Sequence, residues 1–132
     1  MVLLNAGADV HKRNQFGSTP VIYGARHPEV VKLLLEAGAN VNDNAGLSAI
    51  IIAAFSGNND SCKVLLEAGA DINTTDIYGY TALYRAAEEG FAETCSMLLK
   101  AGADPSISNF KGYTPYQIAK ENFHSHVTKL FK

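Results

Sequence analysis

The 132-residue chain is predicted to be an all-α repeat solenoid, a stack of helix-loop-helix units with protruding β-hairpin loops. Three observations predict it. A phrase of the type Leu-Leu-x-Ala-Gly-Ala-Asp/Asn recurs at residues 2–9, 33–40, 64–71 and 97–104. Its glycines, Gly7, Gly38, Gly69 and Gly102, stand 31, 31 and 33 residues apart, a period that marks stacked repeats. A second marker keeps step with the first: Gly17-Ser18-Thr19-Pro20, Gly46-Leu47-Ser48-Ala49, Gly79-Tyr80-Thr81-Ala82 and Gly112-Tyr113-Thr114-Pro115.

The second marker opens the first helix of each unit. Its Thr or Ser can accept from the free N–H groups of a helix N-terminus, and Pro20 and Pro115 occupy a first helical position, where a missing N–H does no harm. Small residues follow, as in Ala53-Ala54 and Ala86-Ala87, and let the next unit lie close. A break at Gly57-Asn58 or Gly90-Phe91 leads into the second helix, whose apolar residues recur with helical spacing around the Leu-Leu pair. Gly38, Gly69 and Gly102 stop these helices at the place a left-handed residue favours. The polar stretches between there and the next cap read as fingers, at residues 8–16, 39–45, 70–78 and 103–111.

This order of features resembles the ankyrin repeat, and the best copy runs from Gly79 to Ala103. The resemblance divides the single domain, 1–132, into a partial N-terminal repeat (1–16), a shortened repeat (17–45), two full repeats (46–78 and 79–111) and a C-terminal capping repeat (112–132). It implies a protein-protein interaction module whose partner is another protein. One departure recurs: the His often found after Thr-Pro-Leu is replaced by Ile22, Ile51, Tyr84 and Gln117, which removes a side chain able to tie neighbouring hairpins.

In ankyrin proteins the positions flanking the hairpin glycine, and the outward positions of the first helix, face the groove that holds partners. Here they carry Phe16, Leu47, Ile77, Tyr78, Tyr80, Phe110, Lys111 and Tyr113, with Tyr23 and Arg85 on the floor. Tyr and Phe are enriched in interface cores and lose little rotamer entropy on binding. The competing reading is that several of these rings pack on the neighbouring finger and stiffen the array. The resemblance also implies a modification site, because Leu65, Asp71, Ile72 and Asn73 have the spacing of an asparaginyl hydroxylase substrate, and Asn42 stands in a related setting.

Two irregularities bear on function. From Gly17 to Gly38 is 21 residues, against 23 in the next two units, and Gly38 to Gly46 is 8 against 10 elsewhere, so the second finger is the shortest. A shortened first helix near the front is also seen in ankyrin-type inhibitors of cyclin-dependent kinases, which supplies a remote alternative function. At the front, Val2, Leu3 and Leu4 have no preceding helix to cover them, so residues 1–16 are expected to fray or to support weak self-association. At the other end Lys120, Glu121, Lys129 and Lys132 supply the polar outer face that a terminal cap needs. A different class of reading makes the chain a regulatory or targeting fragment of a larger multidomain protein.

Composition excludes more than it identifies. The content is 47% hydrophobic and 18% charged, that of a folded protein, and the net charge is -2. There is no basic stripe for nucleic acid, and no apolar run of about 18 residues that would suggest a membrane span. With no signal peptide expected, the compartment is cytoplasm or nucleus, and the sequons at Asn59 and Asn73 read as chance matches. Phosphate-loop, dinucleotide, metalloprotease and nucleophile-elbow motifs are absent, so no enzyme activity and no cofactor are expected. His124 and His126 lie two apart and point to different sides of a helix, which leaves them solvated or capping rather than metal ligands. Glu88, Glu89 and Glu93 read as charges that solvate the turn between helices. Cys62 and Cys95 occupy the same place in successive repeats, where helices about 8–10 Å apart exceed the roughly 7 Å reach of a disulfide; both are expected as buried thiols.

Overall fold

The computed structural model describes residues 25–42 and 48–131. The partial first repeat, the expected first helix of the shortened repeat, the finger expected at 8–16 and residues 43–45 of the short finger lie outside these residues. Seven α-helices are described: α1 (Pro28–Glu36), α2 (Ala49–Phe55), α3 (Asn59–Glu67), α4 (Ala82–Glu89), α5 (Ala92–Lys100), α6 (Pro115–Glu121) and α7 (Ser125–Thr128), followed by a 3-10 turn at Lys129–Phe131. They pack in antiparallel-type pairs, α2 with α3, α4 with α5 and α6 with α7. Across the pairs, α2, α4 and α6 form one layer, and α1, α3, α5 and α7 form the other. This is the stack of helix-loop-helix units that the periodicity requires.

Side-chain size explains the two layers. Ala53, Ala54, Ala86, Ala87 and Ala119 are fully buried, so the first-layer helices approach closely. In the second layer one leucine of each phrase, Leu34, Leu65 or Leu98, is buried at the core while its successor is half-buried. Each such burial contributes about 1.5–3 kcal/mol. Cys62 and Cys95 are free, fully buried thiols beside these leucines. Burial pushes each of them up to about 12.

The caps follow the sequence, with one difference. Thr81 Oγ1 accepts from Tyr84 N at 3.1 Å. Thr114 and Gln117 form a reciprocal capping box, Gln117 N donating to Thr114 Oγ1 and Thr114 N to Gln117 Oε1. Ser48 heads α2 in an extended conformation, but its side chain makes no cap bond. Asn58 caps α3 by accepting from Ser61 N, and its Nδ2 donates to Arg26 O in the preceding unit. Gly38, Gly69 and Gly102 have φ of 97°, 95° and 101°, the left-handed termination expected of them.

The fingers reverse the chain without a β-strand among the described residues. Side chains replace the ladder. Asn42 Oδ1 accepts from Asp71 N at 2.7 Å, and Asn73 Oδ1 accepts from Asp104 N at 2.8 Å, so each finger is bonded to the next. On the second layer, Thr94 Oγ1 donates to Asn59 Oδ1, and Asn59 Nδ2 donates to Glu93 Oε1 at 3.0 Å. Ser61 occupies the place of Thr94 one unit earlier, yet its buried hydroxyl has no partner. The cause is one step further back: α1 begins with Pro28 where α3 begins with Asn59, and proline offers no side-chain acceptor.

Candidate protein-binding face

Two short polar side chains build the finger tips. Asp76 and Asn109 each stand three residues before a finger glycine, and both are buried. Asp76 Oδ1 accepts from Tyr78 N at 2.9 Å and Tyr80 N at 3.0 Å; Asn109 Oδ1 accepts from Lys111 N and Tyr113 N at the same two distances. Each residue thus folds the next four around itself, an Asx-type turn whose side-chain bonds add to the backbone pairing of Asp76 N with Tyr80 O and of Asn109 N with Tyr113 O. The tip side chains point outward as a result. Ile77 is 61% exposed, Tyr78 57%, Phe110 80% and Tyr113 38%.

Tyr80 behaves differently. It leans over the first-layer helix α4, stacked on Tyr84 with ring centroids 4.7 Å apart, and the Arg85 guanidinium lies 4.0 Å from the centroid of the Tyr80 ring. Arg85 also reaches the Phe55 ring at 5.3 Å and pairs with Asp76 Oδ2 and Glu88 Oε1, each at 3.3 Å. Its charge is therefore largely neutralised within the chain. Tyr78 completes the cluster, 6.1 Å from Tyr80.

The loss of the family histidine does not leave the neighbouring hairpins untied, contrary to the expectation for Tyr84. Its hydroxyl accepts from Asn109 Nδ2 at 3.2 Å, linking α4 to the next finger. Burial, and then the Glu88 carboxylate, pushes the Tyr84 phenol up to about 12. Gln117 serves its own helix cap instead.

Rings of one unit also seat on glycines of the unit before. A Cβ added to Gly57 would come within 3.1 Å of Phe91, one on Gly79 within 2.8 Å of Phe110, and one on Gly90 within 2.7 Å of His124. Phe110 is therefore both exposed to solvent and anchored by its contact with Gly79. His124 is the capping histidine of the two readings, though not for its own helix: its Nε2 lies 2.9 Å from Glu88 O, so that nitrogen carries the proton and donates to a last-turn carbonyl of α4. His126 is exposed, and no group of three metal-ligating side chains occurs among the described residues. Glu88 and Glu93 are bound to Arg85 and Asn59 rather than only solvating the turn.

Of the residues read as partner-facing, Ile77, Tyr78, Tyr80, Arg85, Phe110, Lys111 and Tyr113 are described; Phe16, Tyr23 and Leu47 lie outside the described residues. Ile77, Tyr78 and Phe110 are the exposed tips, whereas Tyr80 and Arg85 are half-buried under one another. Asp76, Tyr84 and Asn109, which hold the tips in place, were not read as part of the face. A signal existed for two of them: Asn14, Asp43, Asp76 and Asn109 recur three residues before each finger glycine.

Residues 1–76 match a family model described as ankyrin repeats in three copies, and residues 65–119 match one described as ankyrin repeats in many copies. The chain belongs to the ankyrin repeat family. No curated protein sequence matches it. Ankyrin repeats are generally protein-protein interaction modules and usually non-catalytic, and no catalytic domain is found alongside them. Among the described residues no helix is long and apolar enough to cross a membrane.

Proposed function

We propose that this ankyrin array binds a protein partner along the face between its fingers and its first-layer helices. The observation that carries the reading is the pairing of exposed apolar tips with a fixed backbone. Ile77, Tyr78 and Phe110 face solvent, while Asp76 and Asn109 lock the turns that present them. A surface held in its binding shape loses less entropy on association. Arg85 and Tyr80 serve this face mainly as its support, since each is already engaged by the other.

Affinity capture with mass spectrometry, comparing the native chain with an Ile77/Tyr78/Phe110 triple alanine variant that remains folded, tests this. The partner is expected on the native chain alone, and Tyr78→Ala should cost about 2 kcal/mol or more as a hot spot. Equal capture by both proteins moves the site elsewhere. For the same fingers we propose Asn73 and Asn42 as hydroxylation sites. Each amide oxygen accepts from the following finger, so modification would act on the bonds that join the fingers. An unmodified Asn73 peptide after incubation with an asparaginyl hydroxylase, iron and 2-oxoglutarate would end that proposal.

A further inference from the structure

The tips of the fingers at 70–78 and 103–111 share a geometry but differ in charge. Asp76 is a carboxylate whose side chain is 1% exposed, whereas Asn109, in the same place one unit on, is neutral and buried. Both use Oδ1 to accept from two backbone N–H groups of the tip. They differ in what holds the other atom of the side chain. Asp76 Oδ2 meets the Arg85 guanidinium at 3.3 Å, while Asn109 Nδ2 donates to the Tyr84 hydroxyl at 3.2 Å. Arg85 stands nine residues after Asp76, and Ile118 stands in the same place after Asn109. Of these two units, the one whose finger carries no charge has none on its helix at that place.

Charge decides what each tip needs in order to keep its shape. A carboxylate buried without its counter-charge is costly, and it relieves that cost by turning toward water. Turning Asp76 outward withdraws Oδ1 from Tyr78 N and Tyr80 N, the two side-chain bonds that shape the tip. Arg85 is held where it prevents this. Its guanidinium lies 4.0 Å from the Tyr80 ring centroid and 5.3 Å from that of Phe55 in the preceding unit, and Glu88 Oε1 accepts from it at 3.3 Å. The position of α4 is thus passed through one guanidinium to the backbone that presents Ile77 and Tyr78. Asn109 has no charge to balance, so its tip needs no such counter-ion.

We propose that Arg85 is a positioning residue, a charged tether that fixes the tip at Ile77 and Tyr78 through Asp76, while the tip at Phe110 is independent of it. The value of the tether to a partner rests on the finger-face reading given above, but the tether itself belongs to the chain alone. Residue-resolved amide hydrogen exchange by NMR tests it with no partner present, so a failed tether and a failed binding face are separate results. The proteins compared are the native chain, Arg85→Met, Arg85→Lys, Asp76→Asn and the Asp76→Asn/Arg85→Met double variant, each checked for folding by a thermal melt. Arg85→Met keeps a long side chain beside the rings and removes the charge. In it Tyr78 N and Tyr80 N should exchange about tenfold faster or more, while Lys111 N and Tyr113 N stay within about twofold of native. Arg85→Lys, charged but without the planar fork, should fall between the two. In Asp76→Asn the amide oxygen holds the tip as Asn109 does, so adding Arg85→Met should accelerate exchange there by less than about twofold. Native rates in Arg85→Met, equal acceleration in both fingers, or an acceleration that persists in the Asp76→Asn background would each overturn the proposal. Should Arg85→Met not fold, the two fingers are compared in Arg85→Lys, where native rates or equal acceleration would overturn it.

Discussion

The Tyr84 hydroxyl and the Asn109 side-chain amide meet at 3.2 Å in a buried contact that joins helix α4 to the following finger. Asn109 uses its oxygen to hold Lys111 N and Tyr113 N and its nitrogen to hold Tyr84. One residue therefore shapes a finger tip and fastens it to the preceding unit. Tyr84→Phe should destabilise the fold by about 1–2 kcal/mol by leaving the amide unpaired. Asn109→Asp should cost more, because it removes the donor and buries a carboxylate. Urea unfolding checks both, and wild-type midpoints for both would show that the contact carries no energy.

Ser61 and Thr94 occupy equivalent places with opposite satisfaction, which gives a paired prediction. Ser61→Ala should stabilise by about 1 kcal/mol, since it removes a buried hydroxyl that has no partner. Thr94→Val should destabilise by about 0.5–1.5 kcal/mol, since its hydroxyl is bonded to Asn59. Thermal melts that move in the same direction for the two variants would contradict the account.

Gly90→Ala faces both a backbone and a steric obstacle. The residue has a φ of 80°, and the new Cβ would stand 2.7 Å from His124 Nδ1. A loss of about 1–3 kcal/mol is expected from the backbone alone. In Gly90→Ala combined with His124→Ala, part of the loss should return, and a double-mutant cycle measures how much.

The thiols predict a pH dependence on the alkaline side. Burial raises Cys62 and Cys95 from 9.0 to about 12 in the folded chain. The folded state therefore holds protons that the unfolded state has released, and stability falls as pH rises between those values. Well below pH 9.0, where the thiols are protonated in both states, they contribute no slope. Denaturant unfolding across this window should show the decline, and a Cys62→Val/Cys95→Val variant should flatten it except for the share of Tyr84, whose phenol is also raised to about 12. An unchanged slope in that variant would assign the effect elsewhere.

The helices, their order and their ends were legible in the chain because they rest on local chemistry. Periodic apolar positions placed α3 and α5, Thr81 and Thr114 marked helix starts, and Gly69 and Gly102 marked helix stops. Each of these depends on residues within one or two turns of one another, and each repeats, so a single copy corrects errors in the next. The exposed tips were legible for the same reason, as Tyr78 and Phe110 flank a recurring glycine.

Tertiary structure decided which side chains stand free and which are engaged. Arg85 reads as a groove cation in sequence, but folding brings Asp76, Glu88 and the Tyr80 ring to it. His124 reads as solvated or capping, and only folding decides between them, placing its ring on Gly90 and its Nε2 at Glu88 O, 36 residues away. Ser61 and Thr94 look alike in the chain, and only the stacking of α3 on α1 and of α5 on α3 gives one hydroxyl an acceptor and the other none. These outcomes depend on contacts between units about thirty residues apart. Propensity and periodicity act within a unit, whereas the pairing of a buried polar group depends on which atom the next unit brings within 3.5 Å of it.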